Sequence, residues 1–351
     1  MSPTTTPPLL ATLNDGATTG ISSLPTDILE SHILTRLDGQ TLASATCVST
    51  SLSAGRHNHH LWSNICHSTW PSTANDCLTK FISDFSDDGK NGPRSFFSHT
   101  FPLPTPDPTT VPPPPQNQSP SSSPVAASEL ISAVDIYYRN NPILTKIEET
   151  KTTTDWFRCS PFRIDLLDPK DVVPIQSPLP AGGDTAALMD DMTLSWILID
   201  PINKRAVNLS SHKPVSVQRH WLSREVQVRF VSILRGRRRG GGGDAGVVVQ
   251  CGIVVNCGRS EDGEMQVREV TMEVEDMDGK HLNGRDSLVI FQRAMEAKRG
   301  NGVKREEEAR RRYRRYEEMK RERRERKSRV EGTLDILFLA FILSIFIGLP
   351  F

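Results

Sequence analysis

Between positions 57 and 67 the chain carries His57, His59, His60, Cys66 and His67, imidazole and thiol groups of the kind that bind Zn2+. A closed zinc site takes its ligands as two spaced pairs, and no second pair is present downstream, so these residues read as the polar face of a helix and no metal is expected. Asp190 and Asp191 are adjacent carboxylates in a stretch that reads as loop. No Ser, Cys or His stands in a recognisable nucleophile motif. The run RGRRRGGGGDAG at 235–246 has no Gly-Lys-Ser/Thr and opens no helix, which excludes a phosphate cradle. Its arginines, Arg237 to Arg239, lack interleaved aromatic rings on which bases could stack, so no nucleic acid is expected and the run reads as a loop between two strands. Trp196 and Trp221 offer flat rings that could line a carbohydrate platform, although such tryptophans are more often core or half-buried strand residues. Nothing here assembles a nucleophile, a base and an oxyanion site, so neither an enzyme nor a cofactor is expected.

The elements that carry these residues fall into segments of different physics. With 25 prolines, 23 glycines and 36% hydrophobic residues in 351, part of the chain cannot bury enough apolar surface to pack. Residues 1–20 read as disordered tail, without the charged and apolar regions of a signal peptide, and 101–125 as an extended, mobile Pro/Ser-rich linker. The six cysteines form no CxxC pair, which fits free thiols in a reducing compartment. Residues 21–100 are helical in pattern. Over 126–299 the runs FRIDLL, LSWILID, RAVNL, EVQVRFVSIL, GVVVQCGIVV and EMQVREVTMEV are rich in Val and Ile and bounded by turn residues, so they read as strands of an antiparallel sandwich, with DPINK at 200–204 as a hairpin turn. The stretch 171–191 reads as an exposed loop. Helix returns after Ser287, a candidate N-cap, and GNG at 300–302 interrupts it.

Within the first helical segment, Leu24, Ile28, Leu29, Ile33 and Leu34 are spaced to share one helical face, with Pro25 tolerated in the first turn. Asp38-Gly39 stops that helix. Leu42, Ala45 and Val48 mark a second, and Leu61, Trp62, Ile65 and Trp70 a third. So small a unit has a thin core and leaves apolar groups in water unless a partner covers them.

These residues resemble the F-box family, whose pattern opens on Leu-Pro, continues through an Ile/Leu pair and an I-L-x-x-L run, and ends with L-A-x-x-x-x-V-S and L-W…W-P. Here those stand as Leu24-Pro25, Ile28-Leu29, Ile33-Leu34 with Leu37, Leu42-Ala43 with Val48-Ser49, and Leu61-Trp62 with Trp70-Pro71. STSLSAG stands where many members have a basic or aromatic run. The strand region is similar to the C-terminal region of a group of plant F-box proteins and, more distantly, to phloem lectin-type sandwiches. The resemblance implies a non-catalytic adaptor. Leu24, Pro25, Ile28, Leu29, Ile33, Leu34, Leu42 and Val48 would make or support contact with the Skp adaptor of a cullin-RING ubiquitin ligase, while the strands capture a protein substrate. The other reading of the same residues is a private three-helix core in a membrane-tethered scaffold.

The C-terminal residues differ again. Residues 304–329 hold fourteen Lys/Arg against seven Asp/Glu, in a chain whose formal net charge is zero. Glu306 with Arg310, Glu307 with Arg311 and Glu308 with Arg312 are favourable i,i+4 pairs, so a solvated helix is expected over 303–331. Residues 334–351 form an apolar tail. Its sixteen residues from Ile336 would reach about 24 Å as helix, against about 30 Å of hydrocarbon, so a tail anchor on an internal membrane such as the ER is one expectation and a helix docked on the strands is the other. The protein is expected to face the cytosol, or to enter the nucleus if the tail stays out of the bilayer. The fold expected is α+β: three F-box helices, a mainly antiparallel sandwich, a charged helix and an apolar tail.

Overall fold

The first helix starts where the Pro25 carbonyl accepts a 3.1 Å hydrogen bond from Leu29 N. In the computed structural model, which describes residues 24–48, 52, 55, 58–85, 91–105, 127–178, 186–223, 225–236, 248–300 and 302–348 without the side chains of 26, 176–178, 186, 335 and 338–348, this helix changes winding along its length. It is α over Thr26–Ile28 (α1), π over Leu29–Ile33 and 3-10 over Leu34–Arg36. Leu34 N bonds Leu29 O, and this five-residue step brings two leucines together that a regular helix would place on diverging faces. Both are buried.

Asp38 does more than stop that helix. Its carboxylate accepts Thr41 N at 2.8 Å and Thr41 Oγ1 at 2.9 Å, which caps the second helix, α2 (Gly39–Val48). Those bonds hold the carboxyl below its ordinary value, so the cap contributes fully above the unfolded-state value and is lost as pH falls through the lower folded-state value. Asp38→Ala is expected to cost about 1 kcal/mol in urea denaturation at neutral pH. The difference from the native protein should shrink at pH below the carboxylate range.

Asn58 caps α3 (His59–Thr69) by accepting Leu61 N, and a 3-10 turn over Pro71–Ala74 leads to α4 (Asp76–Ser83) and α5 (Gly92–Thr100). A Cβ on Gly92 would stand 2.2 and 2.3 Å from the carbonyl oxygens of Ile82 and Ser83. Backbone cannot yield as a side chain can, so Gly92→Ala is expected to lower stability by about 1–3 kcal/mol, read from the denaturation midpoint.

The strands make two antiparallel sheets. The first hairpin, β1 (Glu129–Tyr138) and β2 (Asn141–Lys151), turns at Arg139 and Asn140, with φ of 50° and 62°. A short α6 (Asp155–Cys159), β3 (Arg163–Asp165), β4 (Val173–Pro178) and α7 (Ala186–Asp191) lead to β5 (Met192–Asp200) and β6 (Arg205–Asn208). Then come β7 (Ser216–Arg219), β8 (Val226–Arg235), β9 (Val248–Arg259) and β10 (Glu264–Glu275). One sheet has the order β2-β1-β5-β6, and the other β3-β10-β9-β8-β7 with β4 also on β10. Asp200 closes the β5–β6 turn expected at DPINK by accepting from Ile202 N and Asn203 N.

Alternation sorts the side chains into layers. On β5, Leu194, Trp196 and Leu198 join a core shared by both sheets, while Ile197 and Ile199 point the other way and pack with Leu42, Trp62, Trp70 and Phe97 of the helices. The helical segment therefore lies on the outer face of the first sheet. Arg299 clamps this junction: its guanidinium donates to the carbonyls of His99, Ala206, Ala294, Met295 and Ala297, and burial pushes it down to about 10.

Several expectations need correction. Residues 171–191 are not simply an exposed loop, because β4 pairs with β10 and Leu188 on α7 is buried in the core, while 179–185 lie outside the described residues. Asp190 and Asp191 are in α7, and Asp191 pairs with Arg139. The helix expected after Ser287 begins earlier, as α8 (Gly284–Glu296), capped by Asn283, with Ser287 buried inside it. Residues 101–105, expected to open the linker, are tied to the body: Thr105 N bonds Lys298 O and Leu103 is buried, while 106–126 lie outside the described residues. Residues 1–20 also lie outside them.

The charged helix is α9 (Arg305–Gly348), continuous in backbone through most of the apolar tail. It is not a purely solvated helix, since Tyr316 packs on Val231 and Ile233 of β8 and Tyr316 OH donates to Asp276 O at 3.0 Å. Of the three expected i,i+4 pairs, Glu308–Arg312 closes at 2.8 Å. Among the described residues no helix is long and apolar enough to cross a membrane, and the tail's side chains beyond Leu337 lie outside them.

Candidate docking surface

Packing divides the eight residues singled out in the first two helices. Leu29, Leu34 and Leu42 are buried in the core under the helices, and Ile33 is half-buried. Leu24, Ile28 and Val48 remain 38%, 40% and 83% exposed, and Pro25 is exposed beside them. Three leucines, with Ile33 beside them, thus hold the backbone from below, and Leu24, Pro25, Ile28 and Val48 are left in water. That combination is chemically mute but suits burial by a second surface.

The support beneath this face is built from aromatic rings. Trp62 Nε1 donates to Gly55 O at 3.0 Å, and its ring centroid lies 5.7 Å from Phe97. Phe97 also meets Trp70 at 5.3 Å and occupies the space where a Cβ of Gly39 would stand, so Gly39 lets α2 settle onto α5. Asn58 reaches back to Glu30 at 3.4 Å, tying the cap of α3 to the first helix.

Two polar contacts then fix the helical layer to the sheet. Trp70 Nε1 donates to Ser195 Oγ at 3.1 Å. Asp135 on β1 is fully buried and accepts Ser72 N at 2.9 Å and Ser72 Oγ at 2.6 Å. Burial pushes its carboxyl up, and the hydrogen bonds from Ser72 oppose that shift, as they must for a buried acid to be tolerated. Sequence reasoning misses Asp135 entirely. Its one signal is an acid set inside the mostly apolar run ELISAVDIYY.

The other candidate residues are dispersed. Cys66 donates to Pro93 O and burial pushes its thiol up to about 12, which keeps it from acting as a nucleophile or metal ligand at neutral pH. Burial pushes the His67 imidazole down. Among the described residues no group of three or more His, Cys, Asp or Glu could hold a metal, and His57 lies outside them, as do Arg237 to Arg239. The two tryptophans do not form a platform. Trp196 is 0% exposed between the sheets, because its strand alternation points it inward. Trp221 is 85% exposed on the turn after β7, beside a groove of about 540 Å³ lined by Gln218, Ser223, Glu225 and Gln227.

Comparison with known proteins adds three relatives, all from Arabidopsis thaliana. One, named a probable F-box protein, is 45% identical over 92% of this chain and 89% of its own length. Two others, named F-box proteins, are 40% identical over 85% of this chain and 80% of their own length, and 37% identical over 93% and 94%. No family model matches the chain, and no solved structure matches it.

Proposed function

The chain belongs to the F-box protein family, and from that premise we propose that it is a non-catalytic substrate receptor of an SCF-type ubiquitin ligase. Residues 21–71 act as a three-helix F-box that docks on the Skp adaptor, and through it on a cullin-RING ligase. The two sheets, arranged as a sandwich, capture the protein destined for ubiquitination. Leu24, Pro25, Ile28 and Val48 make the adaptor contact, with Leu29, Ile33, Leu34 and Leu42 as its support. The single observation behind this reading is that apolar side chains at family positions stay exposed while their neighbours on the same helices are buried.

The apolar C-terminal run serves as a tether that holds the protein on the cytosolic side of an internal membrane. A scaffold without a ligase role is the competing reading, and adaptor capture separates the two. The full chain, immobilised and exposed to purified Skp adaptor, should retain it with micromolar or tighter affinity. Failure of a folded protein to retain the adaptor would transfer the proposal to the scaffold reading.

A further inference from the structure

We propose that the part of α9 from Arg321 to Leu337 is a docking surface for an anionic phospholipid bilayer, an inference that rests on the tether reading above. The helix has two halves. Up to Lys320 it belongs to the body: Ala309, Tyr316 and Lys320 are buried, Arg312 donates to Pro104 O at 2.7 Å, and Lys320 pairs with Glu275. From Arg321 to Leu334 every residue is exposed. The helix leaves the body beside the turn after β10, where Arg323 grips Asp278 at 2.7 Å.

Beyond that point the surface chemistry changes along the axis rather than around it. Over Arg321 to Leu337, the six basic residues Arg321, Arg323, Arg324, Arg326, Lys327 and Arg329 stand against the four acidic residues Glu322, Glu325, Glu331 and Asp335, and all six bases fall within 321–329, where only Glu322 and Glu325 oppose them. Ion pairs at 4.0 Å, Arg321–Glu325, Arg329–Glu325 and Lys327–Glu331, support the helix without packing. Solvation alone would account for a charged segment of this kind, but not for the apolar residues at its end. Val330, Leu334, Ile336 and Leu337 are large apolar side chains left in water immediately after the basic stretch.

A bilayer surface presents the matching sequence of environments, anionic headgroups first and acyl chains next. The basic stretch rises about 12 Å along the axis, which carries it through a headgroup layer. Long arginine stems can lie on apolar surface while their guanidinium groups stay with phosphate or carboxylate. A single-stranded nucleic acid would satisfy the charges but would find no stacking ring in this stretch and no use for the leucines.

The test is co-sedimentation of the full chain with vesicles of phosphatidylcholine alone and with roughly a third phosphatidylserine, at low and high salt. Native protein should sediment preferentially with the anionic vesicles, and less so in high salt. Replacing Arg321, Arg324, Arg326 and Arg329 by glutamine should weaken that binding by about fivefold per arginine, while capture of the Skp adaptor is unchanged. Equal sedimentation with both vesicles would overturn headgroup recognition yet leave the tether standing. Sedimentation with neither would overturn both. Displacement of the protein from anionic vesicles by equimolar single-stranded RNA would reassign the surface to nucleic acid.

Discussion

Replacing Leu24, Pro25 and Ile28 together by alanine is expected to abolish capture of the Skp adaptor while leaving the protein folded. All three are exposed, so the substitutions remove little that the fold depends on, and surface changes of this kind usually stay within about 0.5 kcal/mol of native stability. At an interface the same groups would be desolvated, and truncating central apolar anchors costs about 2–4 kcal/mol, a loss of about 30-fold to 1000-fold in affinity. The control lies one layer below. Leu42→Ala opens a cavity at a fully buried position and should cost about 2–5 kcal/mol of stability. Both variants would lose capture, but only the second should lower the thermal midpoint markedly. A triple variant that still binds natively would remove this face from the interface.

The second large effect concerns the joint between the helices and the sheet. Trp70 is buried, its ring lies against Phe96 at 6.1 Å and Phe97 at 5.3 Å, and its N–H meets Ser195 on β5. Trp70→Ala deletes that ring and leaves the Ser195 hydroxyl without this donor, which should cost about 3–5 kcal/mol in urea denaturation. The effect should also be directional. Hydrogen exchange should accelerate in α3, α4 and α5 and in the outward-facing part of β1 and β5, more than in β8 to β10, whose core lies on the far side of the first sheet. Uniform acceleration across both sheets, or a loss below about 1 kcal/mol, would argue against a distinct joint.

Much of the fold was legible because period-specific apolar patterns report which face of an element is buried. The apolar runs LSWILID and EVQVRFVSIL, bounded by turn residues, marked β5 and β8, and the leucines and tryptophans between 24 and 70 marked a helical segment. Strands β1 and β2 escaped, although Arg139-Asn140 between them sits in the left-handed region that asparagine tolerates well. β2 carries charged residues at half-buried positions, which dilutes the alternation that would have declared it. The helix cap at Asn283 was misplaced to Ser287 because both residue types cap helices, and only the backbone decides which N–H groups are free.

The sequence by itself carried the resemblance to the F-box family and the strand-rich character of the second half, since ordered anchor residues and strand periodicity are local properties that one dimension can carry. Tertiary structure decided which of those anchors remain available. Leu29 and Leu24 look alike in the sequence, yet one is core and the other surface, because burial depends on what arrives from elsewhere in the chain. The same holds for Trp196 and Trp221, for the pairing of Ser72 with Asp135, and for Tyr316, which ties a helix that could stand in water to β8. Contacts between residues dozens to hundreds of positions apart leave no periodic trace, so they could be read only once the sheets had brought those residues together.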